Sequence, residues 1–551
     1  MSTSPGAIVA EEAGFEPPAP IAPEPAPEPA GQSPAPLGRR AATGFLLMSG
    51  QSLFTRVASF LAQMVLSRWL LASDFGLFAI AMNVQGYASM AQQIGVREVL
   101  ISRQKKFHLW QNSTFWIAQT MGVLSGVAVA AAAPIVAWCY HDPATAWWLS
   151  PLLPMLLIFA FSQPLYNLTL VQESKVQIDL RFKYAAAGTA AQGLAQAVSQ
   201  IAFALLHFGA FALAWPRFVV GVVKSLIYVK STPIKVRRDP QFRVWKYVLV
   251  PGSMVLLTNL AYQLPQSVPV FALGRVGGAN SQIGKELAGF FYLAYSLSIQ
   301  TVLMLSLQLD GVLFPTLGKM QGDPVRQRAA LLRAGHALTA IMAPLCAFQI
   351  VAARPLILLF FSPKDNPLKW EAAVLPFQIM SVGMLLCGAY TPAHSLLQAQ
   401  GRFAAKLAIA TFWGILSSIV SIVGILLAPP EYKTAAAAVG MCVSIGGYST
   451  HYCVAATRPL GGSAMDAVRI VIMPTLVAAM AGAAAWFARG LLPAAVGGPR
   501  MTFAVQIAFL GTVGGIVYVA GLRVLAPGVW ADLINAAQPI FRRLGLGKKT
   551  V

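Results

Sequence analysis

The chain has 551 residues, of which 57% are hydrophobic and only 11% are charged, and its formal net charge is +21. A composition this apolar cannot cover the surfaces of several soluble domains, so it excludes a soluble multidomain protein. It predicts a chain that crosses a membrane many times.

The distribution of charge predicts the topology. Five of the 19 acidic residues lie in the first 38 positions, which hold no Lys or Arg, so 40 basic residues stand against 14 acidic ones from Arg39 onward, a balance of +26. Such a charge could indicate nucleic-acid binding, but the basic residues recur in alternate loops, 29 of the 40 on one side. The positive-inside rule places that side, and both termini, on the cytoplasmic side of a bacterial inner membrane. We therefore expect no nucleic-acid partner.

Residues 1–38 hold ten prolines and few large apolar groups, which predicts a disordered cytoplasmic tail. Apolar segments of membrane-spanning length then follow one another almost without interruption. We predict fourteen spans: 43–71, 75–97, 113–139, 149–171, 186–206, 211–229, 246–272, 288–314, 334–361, 372–399, 405–427, 435–456, 468–490 and 503–524.

The longest internal break divides these spans into two groups of six. We predict a first six-helix lobe at 39–229, a cytoplasmic linker at 230–245 and a second six-helix lobe at 246–456. Two further transmembrane helices occupy 457–525, and a basic cytoplasmic tail occupies 526–551. The predicted fold class is an all-α polytopic membrane protein of about 14 helices.

An internal repeat supports the two lobes. Leu66-Ser-Arg68 precedes Gly76-Leu-Phe-Ala-Ile-Ala81, and Leu273-Gly-Arg275 precedes Gly289-Phe-Phe-Tyr-Leu-Ala294. Both copies begin after a span that enters from the cytoplasm, so the lobes would be parallel repeats about an axis along the membrane normal.

The first span carries a polar stripe around a charged residue. Ser49, Ser52, Arg56, Ser59 and Gln63 are spaced 3, 4, 3 and 4 residues apart, which places them on one helix face. A charge at the bilayer centre costs about 2.5–3.5 kcal/mol on insertion scales and therefore needs water or a polar partner. We favour the wall of an aqueous substrate cavity, and the alternative is a polar seam between helices.

Other spans also carry polar groups at membrane depth. Asn259, Gln263 and Gln266 form a second stripe in the seventh span and are further candidates for the cavity wall. Arg217 in the sixth span either reaches out to the interface or faces the cavity. Asp310 is the one acid inside a predicted span and the candidate for ion coupling. The scarcity of such acids predicts a neutral to cationic cavity, which suits an anionic headgroup.

Motifs for cofactor chemistry do not occur. The five cysteines form no CxxC pair, so neither a disulfide framework nor a metal site is predicted. The chain has no GxxxxGK[ST] phosphate-binding loop, which argues against an ATP-driven pump. We expect no cofactor.

Three segments resemble the polysaccharide-transport branch of the multidrug/oligosaccharidyl-lipid/polysaccharide flippase superfamily. They are residues 67–103 (SRWLLASDFGLFAIAMNVQGYASMAQQIGVREVLISR), 313–334 (LFPTLGKMQGDPVRQRAALLRA) and 370–402 (WEAAVLPFQIMSVGMLLCGAYTPAHSLLQAQGR). The resemblance extends over about residues 43–525. It implies two six-helix lobes around a central cavity and two peripheral helices. It also implies alternating-access transfer of undecaprenyl-pyrophosphate-linked sugar units to the outer leaflet, for exopolysaccharide, capsule or O-antigen.

The resemblance has one departure and several rivals. Where relatives often carry a polar or acidic residue late in the seventh span, this chain has Val268-Pro-Val-Phe271, which argues against ion coupling there. The expected partners are the anionic lipid-linked oligosaccharide, membrane lipids, a polymerase and export machinery. The alternatives are a cation-coupled multidrug antiporter, a peptidoglycan-precursor flippase and a polytopic polymerase or ligase. The predicted outside loops are too short for the last, so we expect no enzyme.

Overall fold

The structure is a computed structural model that describes residues 34–92, 100, 107–141, 146–179, 181–234, 236–238, 240, 242–276, 278, 282–318, 320, 323–492, 498–531 and 533–534. These residues form helices and connecting turns. The helices of the first lobe are α1 Pro34–Trp69, α2 Ala72–Gln92, α3 Phe107–Tyr140, α4 Leu152–Asn167, α5 Leu170–Ile178, α6 Phe182–Leu205 and α7 Phe211–Ser231.

The second half of the chain continues the helical pattern. Its helices are α8 Phe242–Gly274, α9 Gln282–Gly318, α10 Pro324–Val351, α11 Ala353–Phe360, α12 Val374–Leu385, α13 Tyr390–Ala399, α14 Phe403–Leu427, α15 Lys433–Thr457, α16 Ala464–Ala488 and α17 Pro499–Leu525. The 3-10 turn Leu386–Ala389 joins α12 to α13.

Polar residues fix several helix starts, as their sequence positions suggest. Asp323 precedes α10, accepts a hydrogen bond from the backbone N–H of Arg326 and is followed by Pro324 in the first turn. Ser463 and Asp466 form a capping box at the start of α16. Asp466 also accepts two hydrogen bonds from Arg328, at 2.9 and 2.8 Å, which attach α16 to α10.

Each of the fourteen predicted spans contains helix where the structure describes it, and the all-α membrane fold is confirmed. The count of fourteen stays a prediction. Among the described residues, seven helices are long and apolar enough to cross a membrane, or eight if α4 and α5, bent by 42°, form one span. The N-terminal tail lies outside the described residues up to residue 33, and so does the basic tail from residue 535.

The two copies of the repeat meet each other where α2 crosses α9. A Cβ atom on Gly76 would overlap the carbonyl oxygen of Lys285, and a Cβ on Gly289 would overlap the carbonyl oxygen of Ala72. Lys285 lies four residues before Gly289, and Ala72 lies four residues before Gly76, so the contact is reciprocal. This reciprocity is what a pseudo-two-fold axis through the crossing requires, and it supports the parallel repeat.

The largest apolar core joins the lobes near this crossing. Phe75 and Phe78 of α2 pack in one cluster with Phe291 of α9 and Trp370. The rings of Phe75 and Trp370 are 5.2 Å apart between centroids. We call this the closed end of the bundle, and the end that carries Arg181, Arg402 and Arg458 the basic end.

The last two helices pack on the second lobe. Apart from the Arg328–Asp466 pair, the hydroxyl of Tyr518 in α17 donates to the carbonyl of Ala340 in α10 at 2.8 Å. Both helices therefore lie against α10.

Candidate functional site

The polar stripe of α1 faces α9 of the other lobe. Arg56 donates from Nη1 to Oε1 of Gln300 at 3.1 Å, and Gln63 donates to Oγ of Ser296 at 2.7 Å. Arg56 lies 13 residues before the end of α1, about 20 Å along the helix axis at 1.5 Å per residue. The structure thus places a guanidinium deep in the bundle, at a contact between the lobes.

The faces of α1 differ in polarity. Ser52 and Ser59 are half-buried beside Arg56, whereas Leu53, Val57 and Leu61 are each about half exposed. Exposed leucine and valine are typical of a lipid-facing surface. The helix therefore presents its polar stripe to the second lobe and its apolar face outward.

The stripe of α8 closes a second contact between the lobes. Gln263 donates to Oδ1 of Asn83 in α2 at 3.1 Å, and both side chains are buried. One turn further, Ser267 and Tyr87 share a hydrogen bond. Gln263 therefore lies in a closed polar seam in this structure, whereas Asn259 and Gln266 of the same helix are half-buried.

Arg217 stabilises the first lobe from within. Its guanidinium donates to Oε1 of Gln85 in α2 at 2.7 Å and lies 3.6 Å from the sulfur of Met82. Its carbon atom is 5.8 Å from the ring centroid of Tyr166. The Arg217 side chain therefore points inward to α2. The arginine that contacts α9 is Arg56 of α1. Asp310 belongs to α9, but its side chain is outside the described residues.

Sequence reasoning missed the partners of these residues. Asn83 and Tyr87 are four residues apart in α2, and Ser296 and Gln300 are four residues apart in α9. Polar pairs at helical spacing in apolar helices are the signal that could have found them. Their weakness as a signal is that a single pair does not define a stripe.

The loop before α12 clamps the end of α1 at the closed end. The buried Trp370 donates from its indole N–H to the carbonyl of Ser67 at 3.1 Å. The Lys369 ammonium donates to the carbonyl of Ser67 at 2.8 Å and also to that of Leu70. Arg68 in turn donates to the carbonyl of Leu359 at 3.3 Å. These bonds hold the two lobes together at this end.

The free energy of unfolding is expected to rise with pH because the folded protein lowers the pKa of Lys369. Burial lowers the pKa of Lys369 from 10.5 to about 8, and the Asp74 carboxylate opposes that shift. Between these two values the unfolded chain keeps a proton that the folded chain has lost, so the free energy of unfolding increases as pH rises through this window. We expect thermal unfolding of the purified protein to show that increase, and Lys369→Met to lack it. The exposed Lys364→Met in the same loop is the control, and equal pH profiles in both variants would contradict the prediction.

No group of three or more His, Cys, Asp or Glu side chains that could hold a metal ion occurs in the part of the chain that the structure describes. The five cysteines are free thiols. The interlobe contacts of α1 and α8 are made by amides, hydroxyls and Arg56, groups that hydrogen-bond polar or anionic ligands.

Solved structures with the same fold include two membrane transporters. The lipid II flippase MurJ, in an inward closed conformation, gives a TM-score of 0.64 over 87% of this chain and 99% of its own, at 14% sequence identity. An inward-facing multidrug resistance MATE family transporter of the MOP superfamily gives 0.58 over 76% of this chain and 98% of its own, also at 14% identity. At these identities the likeness shows the fold alone.

Sequence relatives point to surface polysaccharides. The succinoglycan biosynthesis transport protein ExoT of Rhizobium meliloti (strain 1021) is 23% identical over 397 residues, which is 70% of this chain and 74% of ExoT. The lipopolysaccharide biosynthesis protein WzxC of Escherichia coli (strain K12) is 21% identical over 347 residues, which is 61% of this chain and 65% of WzxC. ExoT is named as a transport protein and WzxC as a biosynthesis protein. The chain is a multi-pass membrane protein and not an enzyme.

A family model described as "Polysaccharide biosynthesis protein" matches residues 65–374, more than half of the chain. The match includes α2, the crossing of the two glycines and the contact of Gln263 with Asn83, whereas Arg56 and Gln63 lie before its first residue. The chain belongs to this polysaccharide biosynthesis protein family, within the superfamily that its sequence resembles.

Proposed function

We propose that the protein is a flippase that moves undecaprenyl-pyrophosphate-linked oligosaccharide units across the bacterial inner membrane. The units would pass from the cytoplasmic to the periplasmic leaflet by alternating access of the two lobes, with both termini in the cytoplasm. A polymerase in the same pathway, and export machinery beyond it, would then use them. The family match and the relatives ExoT and WzxC support the polysaccharide part of this proposal.

The observation that carries the proposal is the position of Arg56. A pyrophosphate cannot enter hydrocarbon unaided, because each unsatisfied polar group there costs several kcal/mol. The guanidinium of Arg56 lies half-buried at a contact between the lobes and presents planar donors that match phosphate geometry. When the lobes separate, Arg56 would exchange Gln300 for the anionic headgroup, with Gln63, Ser52 and Ser59 as further hydrogen-bonding groups on the same face.

Alternating access needs contacts that can open. The described contacts between the lobes at the closed end are hydrogen bonds to a few carbonyls, the glycine crossing and one aromatic cluster. For example, Tyr140 donates to the carbonyl of Phe271 at 2.9 Å. We propose that this end faces the periplasm, and that its opening releases the transported unit.

The membrane potential would favour outward movement of the substrate. With the inside negative, a negative charge gains about 2.3 kcal/mol per 100 mV as it moves outward. Two charges at about 150 mV would gain roughly 7 kcal/mol. Transport that continued at full rate after selective collapse of the potential would rule out this drive.

A multidrug antiporter is the second candidate, because a MATE transporter shares the fold. Cation antiport is expected to use a carboxylate at membrane depth. In the described part of the chain, the acids whose side chains are placed lie near helix ends or in loops, as Glu173, Glu371 and Asp466 do in their ion pairs. This placement favours an anionic substrate over a cation.

The proposal is tested by mass spectrometry of polyprenyl lipids from cells that lack the protein, with spheroplasts reporting the leaflet. We expect an undecaprenyl-pyrophosphate oligosaccharide to accumulate on the cytoplasmic side. Accumulation on the outer side would instead indicate a defect in polymerisation or ligation. Loss of tolerance to organic cations without any lipid accumulation would favour the antiporter.

A further inference from the structure

A cavity of about 650 Å³ lies on the outer surface of the second lobe, between α14 and α15 at the basic end. It is separate from the contacts between the lobes, because Arg56, Gln63, Asn83 and Gln263 belong to other helices and do not line it. The residues that define it are Arg402, Ala408, Ile409, Phe412, His451 and Arg458.

The mouth of the cavity is cationic. Arg402 directly precedes the first residue of α14, and Arg458 directly follows the last residue of α15. Both arginines therefore lie at the same end of this helix pair. Arg402 is fixed by a hydrogen bond to the carbonyl of Ala455, and Arg458 is exposed. The cavity lining contains no carboxylate. Guanidinium groups with no carboxylate beside them are donors that suit phosphate oxygens.

The wall of the cavity is apolar and continues toward the membrane interior. Phe412 lies nine residues into α14, about 14 Å from its start at 1.5 Å per residue, and is 55% exposed. Ile415 and Ile419 continue the same exposed apolar surface. The cavity therefore combines a phosphate-binding mouth with a surface that suits an acyl chain. His451, which also lines the cavity, accepts a hydrogen bond from the indole N–H of Trp413 at 3.2 Å.

We propose that this cavity binds an anionic phospholipid of the surrounding bilayer, with the phosphate between Arg402 and Arg458 and one acyl chain along Ile409 and Phe412. Basic pockets between transmembrane helices at the basic side of a membrane bind such headgroups. A bilayer phospholipid is the occupant that the position favours, because the cavity opens to the lipid-facing surface of one lobe. The transported substrate must instead reach the contact between the two lobes.

The bound phospholipid would join two consecutive helices of one lobe. Since α14 packs on α8, which carries Gln263 at the lobe contact, the phospholipid would stabilise the arrangement of that helix. This inference does not depend on the identity of the transported sugar.

The test is a titration of phosphatidylglycerol into the full-length protein in nonionic detergent, followed by native mass spectrometry. The double variant Arg402→Gln/Arg458→Gln should bind phosphatidylglycerol roughly tenfold more weakly, because each basic residue near the surface contributes to the attraction of anionic lipid. Ala408→Phe, which fills the cavity and keeps both charges, should weaken binding to a similar extent. The single variant Arg458→Gln removes one charge and keeps the hydrogen bond from Arg402 to Ala455, so it separates the effect of charge from the effect of losing that bond.

The matched control is Arg237→Gln/Arg238→Gln, which removes two exposed charges from the linker. It should leave phosphatidylglycerol binding unchanged. Equal binding by all variants would overturn the proposal, and so would equal binding of zwitterionic phosphatidylethanolamine to the wild type. Stronger binding of undecaprenyl phosphate than of phosphatidylglycerol, with the same dependence on Arg458 and Ala408, would replace the phospholipid by the carrier lipid and overturn our assignment.

Discussion

Arg56→Ala is expected to abolish surface polysaccharide production while the protein still inserts in the membrane. Hydrogen bonds to a charged group contribute about 1.5–3 kcal/mol each. Loss of one of them from a bound pyrophosphate would slow transport by roughly 10- to 100-fold, and loss of two by up to roughly 10,000-fold. Arg56→Lys keeps the charge but loses the planar fork, so we expect intermediate activity. The measurement is complementation of a deletion strain, with membrane abundance followed by immunoblotting.

Gln300 separates a binding role of Arg56 from a role in holding the lobes together. Because Gln300 accepts the hydrogen bond from Arg56, Gln300→Ala removes the same contact between the lobes but leaves the guanidinium in place. If Arg56 binds substrate, Gln300→Ala should keep most of the activity that Arg56→Ala loses. Equal loss in both variants would assign Arg56 to the seam between α1 and α9. Arg354→Ala, in the exposed pair with Glu371, controls for the loss of a surface arginine.

The sequence predicts where the helices lie, but mean hydropathy alone does not identify every one of them as a membrane span. Over their described residues, α1 and α2, which carry Arg56 and Asn83 of the interlobe contacts, fail a test of length and mean hydropathy. Helices such as α3, α14 and α17, with wide lipid-facing surfaces, pass it. The reason is physical: a helix that faces other helices can hold Asn, Gln and Arg with internal partners, whereas a helix in lipid cannot.

The candidate site was predictable in part from helical periodicity. The period of the α1 stripe identified which residues share a face with Arg56, and the structure turns that face to α9. The period could not say which helix lies opposite, because that depends on how the lobes pack. Gln263 and Arg217 illustrate the limit: each looks like a cavity residue in sequence, but one is paired with Asn83 and the other with Gln85.

Gly76→Ala and Gly289→Ala are each expected to destabilise the protein by about 2 kcal/mol or more and to impair transport. The added Cβ atom meets a backbone carbonyl of the opposite lobe, which cannot move aside as a side chain can. In an open helix position the same change should be neutral or mildly stabilising, because alanine favours helix over glycine by roughly 1 kcal/mol. Gly515→Ala, where a Cβ would meet nothing within 4 Å, is therefore the matched control.

The double variant Gly76→Ala/Gly289→Ala tests whether the two glycines form one contact. The backbone nitrogen of Gly289 lies 3.2 Å from the Cβ position of Gly76, and the reciprocal distance is 3.1 Å, so both substitutions push the same two helices apart. Once one Cβ has separated α2 from α9, the second should cost little more, and the effects on thermal unfolding should be far from additive. Additive losses would mean that the glycines act independently.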